Sequence, residues 1–128
     1  MNTSPRILIV EDQPLIGLAL CDALDEMGLT SIGPVQALSE ALRVASNDEF
    51  DAALLDIWLH GVPAYAVGEI LLHRRIPFIV TGGVTNPNEP EPFRHAQRLA
   101  KPFSKNLLRE RLCEIGVLPT CAASRRDC

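Results

Sequence analysis

A doubly wound α/β fold, with a parallel sheet held between two layers of helices, is what this chain of 128 residues predicts. Branched apolar runs, chiefly Ile7 to Val10, Ala52 to Ile57 and Ile76 to Val80, are short and continuous rather than alternating, which suits strands buried on both faces. Between them lie segments whose apolar residues recur at helical spacing. Strands and helices that alternate with short links imply right-handed crossovers and a sheet covered on both sides.

Each element has its own local reason. After a polar tail over residues 1–5, Ile7 to Val10 forms the first strand. Pro14 stands where a helix can begin, since the first turn needs no donor there, and Ile16, Ala19, Leu20, Ala23, Leu24 and Met27 continue it until Gly28 stops it. Ser31 to Val35 is a weaker second strand. Ser39 is expected to cap a second helix that carries Ala41, Leu42 and Ala45 and ends at Asn47 and Asp48. Ala52 to Ile57 is the third strand, followed by a loop through Gly61 and Pro63 and a helix over Ala66 to His73. Ile76 to Val80 is the fourth.

Beyond it, Pro87, Pro90 and Pro92 each remove a backbone donor, so only a short helix from about Pro92 is expected. Leu99 and Ala100 belong to a short last strand, and Leu108, Leu112 and Ile115 mark a final amphipathic helix capped by Ser104. The predicted arrangement is a flavodoxin-like (βα)5 sheet of order 2-1-3-4-5 with its fourth helix shortened. It forms one domain over residues 6–116, with a disordered tail over 117–128.

Bulk properties narrow the function. The length suits one core rather than two, and the 47% apolar content is ordinary for a globular chain. No window approaches the run of apolar residues that a membrane span requires, and the N-terminal apolar run is too short for a secretory signal, so a cytoplasmic protein is expected. Four cysteines without metal spacing suit a reducing compartment, with Cys21 and Cys113 as free thiols on helices and Cys121 and Cys128 in the tail. A net charge of −4, with only the small basic pairs Arg74/Arg75 and Arg125/Arg126, argues against binding nucleic acid.

In an open parallel sheet, ligands gather at the carboxyl ends of the strands. Those ends carry Glu11 and Asp12, then Asp56, Thr81 and Lys101. Carboxylates crowded together would take up protons unless a cation kept them ionised, which predicts a hard divalent metal, best Mg²⁺. Asp56 remains available as a nucleophile toward phosphorus, with a metal, an ammonium and a hydroxyl around the transferred group.

The stretches Ile7 to Asp12 (ILIVED), Leu54 to Leu59 (LLDIWL), Val80 to Gly83 (VTGG) and Lys101 to Phe103 (KPF) resemble the receiver domains of two-component response regulators. The spacing is 44 residues from Asp12 to Asp56, 25 more to Thr81 and 20 more to Lys101, and the likeness covers residues 6 to about 116. The resemblance implies that Glu11 and Asp12 hold Mg²⁺, Asp12 more directly and Glu11 through water, with Asp56 and the backbone carbonyl of Trp58 as further ligands. It implies that Asp56 is phosphorylated by a histidine kinase or a histidine phosphotransfer protein. Thr81 would donate to a phosphoryl oxygen, Lys101 would pair with the phosphoryl group and a carboxylate, and the Lys101–Pro102 peptide would be cis.

A closer likeness is to the short single-domain receivers of alphaproteobacteria called the FAT GUY family, through FIVTGG (Phe78 to Gly83), the glycine-containing loop after Asp56 and the prolines before the last strand. Phe78 falls one place early for that motif, and Val80 stands where its Ala would be. Most receivers also carry Tyr or Phe three residues before the lysine, where this chain has Arg98. The aromatic part of the switch is therefore expected to be missing, and signal to leave through residues Thr85 to Arg94 and the face of the last helix. Trp58, two residues after Asp56, is expected to shield the acyl phosphate from water.

Blander readings stand beside these. Glu11 and Asp12 could be loop acids capping the first helix, Trp58 an exposed loop aromatic, and Gly82 and Gly83 a plain turn, although small residues there also leave room for a phosphohistidine donor. His60, His73 and His95 sit at no metal-ligand spacing and receive no role. The expected function is a stand-alone phosphoacceptor, not an enzyme in the ordinary sense, that signals by binding a downstream protein. The alternative is a pseudo-receiver, an interaction module that is never phosphorylated. A flavodoxin-like cofactor binder is disfavoured, because the first loop lacks the Ser, Thr and Gly density that cradles a phosphate. Pairing of two copies through the last helix is left open.

Overall fold

The computed structural model describes residues 4–82, 89–94 and 96–118. In chain order the elements are β1 (Arg6–Val10), α1 (Pro14–Glu26), β2 (Thr30–Val35), α2 (Leu38–Asn47), β3 (Ala52–Asp56), β4 (Trp58–Leu59), β5 (Val62–Pro63), α3 (Tyr65–His73), β6 (Phe78–Thr81), α4 (Glu91–Arg94), β7 (Gln97–Leu99) and α5 (Lys105–Glu114). Five parallel strands form the main sheet in the order β2-β1-β3-β6-β7, the predicted 2-1-3-4-5 once the small hairpin β4–β5 is set aside.

The continuous apolar strands divide their side chains strictly by parity. Leu8 and Val10 of β1, Ala53 and Leu55 of β3, and Phe78 and Val80 of β6 enter the core beneath α2 and α3. Ile7, Ile9, Ala52, Leu54 and Ile79 enter the opposite core beneath α1 and α5. A period of two on strands buried on both faces produces this two-sided core.

Local differences from expectation have physical reasons. Helix α2 begins at Leu38 after Ala37, with no side-chain cap, so Ser39 lies inside the first turn and Glu40 supplies the negative charge that suits a helix start. Ser104 does cap α5, its hydroxyl accepting from the Leu107 amide at 3.0 Å. Ile57 and Ala100 fall just outside β3 and β7, and β6 begins at Phe78 rather than Ile76.

The loop after Asp56 contains an antiparallel hairpin, β4–β5, pairing Trp58 with Pro63 and Leu59 with Val62. Its two turn residues, His60 and Gly61, both have positive φ (50° and 80°), as a two-residue turn of the primed type requires. Val117 and Leu118, assigned to the tail, pack against the α1/α5 core. Residues 119–128, with Cys121, Cys128 and the Arg125/Arg126 pair, lie outside the described residues, as do Gly83, Thr85, Pro87 and His95.

The short α4 is anchored by Phe93, which is fully buried. Its ring lies 4.9 Å from that of Tyr65, edge-on, and 5.8 Å from that of Phe78. Gly68 on α3 makes the room, since a Cβ there would come within 2.3 Å of the Phe93 ring.

Candidate functional site

Strand register assembles the site. Val10 lies beside Leu55, and Asp56 beside Thr81, which in turn neighbours Leu99 two residues before Lys101. Glu11, Asp56, Thr81 and Lys101 thus arrive at one rim, with Asp12 following Glu11 directly. Glu11, Asp12 and Asp56 each present a carboxylate oxygen within 4.8 Å of the others. All five predicted side chains are brought to this rim.

The carboxylates are individually held. Asp56 Oδ1 accepts from the Trp58 amide at 3.1 Å, and Asp56 Oδ2 accepts from Lys101 Nζ at 3.0 Å. The same ammonium stands 2.9 Å from Glu11 Oε1, an ion-pair contact rather than an aligned hydrogen bond, and Glu11 Oε2 accepts from the Gln13 amide. Glu11 is completely buried and the α1 N-cap is Gln13 without a side-chain bond, which rules out an ordinary capping role for the acid pair. Asp12 Oδ2 accepts from the His60 amide at 2.8 Å.

His60 is thus part of the site through its backbone, although its imidazole is mostly exposed. A main-chain donor leaves no side-chain signature. The only sequence trace of its position is the His60-Gly61 pair, which stands where a hairpin turn more commonly has Asn-Gly.

Burial pushes the Glu11 carboxyl above the ordinary value of 4.5, with Lys101 and the Gln13 amide opposing and the Asp56 charge adding to the rise. For Lys101, burial alone would lower the ammonium, but the carboxylates of Glu11 and Asp56 beside it more than reverse that and its pKa is raised. Gly82 leaves the β6 strand at φ 72°, and a Cβ there would come within 2.9 Å of Lys101 Cε. The glycine therefore does more than turn the chain: it clears the path of the lysine. The Lys101–Pro102 peptide is cis.

Thr81 Oγ1 is buried and makes no hydrogen bond among the described residues. Among the described residues, the desolvation cost of this group is therefore uncompensated. A donor set made wholly of carboxylate oxygens, with three acids against one ammonium, fits a hard divalent cation such as Mg²⁺. No helix among the described residues is long and apolar enough to cross a membrane.

No family model matches the chain. Over 71 residues, 56% of its length, it is 34% identical to the transcriptional regulatory protein TcrA of Mycobacterium tuberculosis (strain ATCC 25618 / H37Rv), and it spans 28% of that protein. Among solved structures it is similar to SdrG from Sphingomonas melonis Fr1, with 35% identity, a TM-score of 0.77 and coverage of 88% of this chain and 97% of that one. The receiver domain of the sensor histidine kinase PA1611 from Pseudomonas aeruginosa PAO1, with a magnesium ion coordinated in its active-site cleft, is 26% identical, with a TM-score of 0.69 over 89% of this chain and 99% of that one. With SdrG 35% identical and matched over 97% of its length, and a parallel sheet that gathers acids, threonine and lysine at one rim, the chain belongs to the response-regulator receiver domains of two-component systems.

Proposed function

We propose that the chain is a phosphoacceptor that takes a phosphoryl group from a phosphohistidine of a histidine kinase or histidine phosphotransfer protein onto Asp56, and that it then signals by binding a downstream protein. The observation that carries this is the Asp56 carboxylate itself, held at both oxygens by the Trp58 amide and the Lys101 ammonium within a cluster of three acids. In the transfer, a carboxylate oxygen of Asp56 forms the new O–P bond as the N–P bond of the donor breaks, and the departing imidazole takes a proton from solvent. Magnesium, when bound, neutralises charge on the phosphoryl oxygens. Glu11, Asp12, Asp56 and the carbonyl of Trp58 are the groups assigned to hold it.

Lys101, already poised between Glu11 and Asp56, exchanges part of its contact with Asp56 for a phosphoryl oxygen. Thr81 supplies the second donor, because its buried hydroxyl has no partner among the described residues to give up. The proposal extends to a receiver that acts without an attached output domain and, for its subfamily, to membership of the FAT GUY group, through the motif at Phe78 to Gly83. Intact-mass analysis with acetyl phosphate and Mg²⁺ tests the assignment. Wild type gains one phosphoryl mass and Asp56→Asn gains none. A wild type that stays unmodified would leave an interaction module that is never phosphorylated, and a labelled Asp56→Asn would move the acceptor elsewhere.

A further inference from the structure

Arg98 occupies the position where the resemblance led us to expect an aromatic ring, and it is engaged on three sides. Its guanidinium donates to Glu89 Oε1, and to the Phe93 carbonyl at 3.1 Å. Its own carbonyl accepts from Arg111 Nε of α5 at 2.9 Å. The Glu89 side chain is 2% exposed and that of Arg98 is 20% exposed, so the pair is largely removed from water. One residue of β7 therefore ties together α4, the chain leading into it, and α5.

Helix α4 needs such an anchor. It has four residues, far fewer than a helix requires to persist alone, so tertiary contacts alone hold it in place. Phe93 supplies one contact and Arg98 the other. Both bonds leave one guanidinium nitrogen, Nη2, whose position is fixed by the rigid planar head, a placement that a lysine ammonium on a flexible stem reproduces poorly.

The pair also lies next to the site. Arg98 faces Val80 in the β6–β7 ladder, Thr81 faces Leu99, and the Gly82 amide donates to the Leu99 carbonyl at 2.9 Å. The residue beside Arg98 is thus hydrogen-bonded to the strand end that carries Thr81, while the Arg98 side chain holds Glu89 and Phe93.

We propose that the buried Arg98–Glu89 pair is a clamp fixing α4 to β7 and α5, and that through it the state of Asp56 reaches those two helices. The clamp stands on geometry alone, whereas the transmission rests on the phosphoacceptor function proposed above. Glu89→Gln leaves the Arg98 charge without its carboxylate and Arg98→Lys loses the rigid planar donor, and in either case α4 opens locally.

Hydrogen–deuterium exchange on the full chain tests this, with and without beryllofluoride and Mg²⁺, for wild type, Glu89→Gln and Arg98→Lys, alongside phosphoryl uptake from acetyl phosphate by intact mass. In both variants the amides of α4 and β7 lose roughly tenfold or more protection, while β1 and β3 keep theirs. Beryllofluoride changes exchange in α5 of wild type and not of the variants, and phosphoryl uptake is unaltered. Wild-type protection of α4 and β7 in the variants overturns the clamp, as does a loss that extends to β1 and β3, which would make the pair a general prop. A beryllofluoride response of α5 that survives in the variants overturns the transmission. If wild type accepts no phosphoryl group, the function proposed above fails and the transmission with it, while exchange without beryllofluoride still decides the clamp.

Discussion

Replacing Lys101 with methionine removes the one ammonium shared by two buried acids while keeping most of the apolar stem. Lys101 Nζ is 2.9 Å from Glu11 and 3.0 Å from Asp56, the Glu11 side chain is wholly buried, and the Lys101 side chain is 22% exposed. Losing one partner of a buried pair costs about 3–5 kcal/mol, and partial exposure of this one brings the expectation to about 2–4 kcal/mol at neutral pH. The loss depends on pH in a defined direction. Glu11 is already raised above 4.5 in the folded protein, and without the lysine it rises further, so the folded state binds more protons than the unfolded one above that value. Stability contributed by the protonated acid is therefore present at low pH and lost as pH rises through the raised value. The penalty of the variant should be small near pH 4.5, the ordinary Glu value, and full at neutral pH. Urea unfolding at both pH values, with and without Mg²⁺, measures it. Magnesium should stabilise Lys101→Met more than wild type, because the cluster has lost its internal cation. A penalty that is the same at both pH values, or below about 0.5 kcal/mol at neutral pH, would refute the account of a shared buried ammonium.

Other outcomes follow from the same geometry. Thr81→Val keeps the shape and removes a buried hydroxyl that has no partner among the described residues, so the resting protein should gain up to about 1 kcal/mol in urea unfolding while phosphoryl uptake slows; a less stable variant would show that the hydroxyl is satisfied. Gly68→Ala drives a methyl into the Phe93 ring and should cost about 1–3 kcal/mol, outweighing the ~1 kcal/mol that alanine gains over glycine in a helix. A variant at least as stable as wild type would mean that Phe93 is not lodged there. Trp58 is 48% exposed and its amide holds Asp56, so Trp58→Ala should speed loss of the acyl phosphate a few-fold, followed by intact mass over time. An unchanged rate would reduce the indole to an exposed loop aromatic.

The amino-acid sequence by itself determined the sheet and its rim. Continuous apolar runs around Ile9, Leu54 and Ile79 specify buried strands locally, and parallel strands at those places carry Glu11, Asp56 and Thr81 to one end, where the short strand before Lys101 joins them. Features built from backbone groups or non-local fit were not legible in this way. The His60 amide that holds Asp12 has no side-chain signature, and the hairpin carrying it rests on an uncommon turn pair. Gly82 looked like a turn residue, yet its lack of a side chain makes room for a lysine 19 positions on. Arg98 could be recognised as a departure, but its partner Glu89 could not, because the two meet only when Phe93 seats α4 in the space left by Gly68. Pattern along the chain decides what is buried, and packing between elements decides which buried groups face one another.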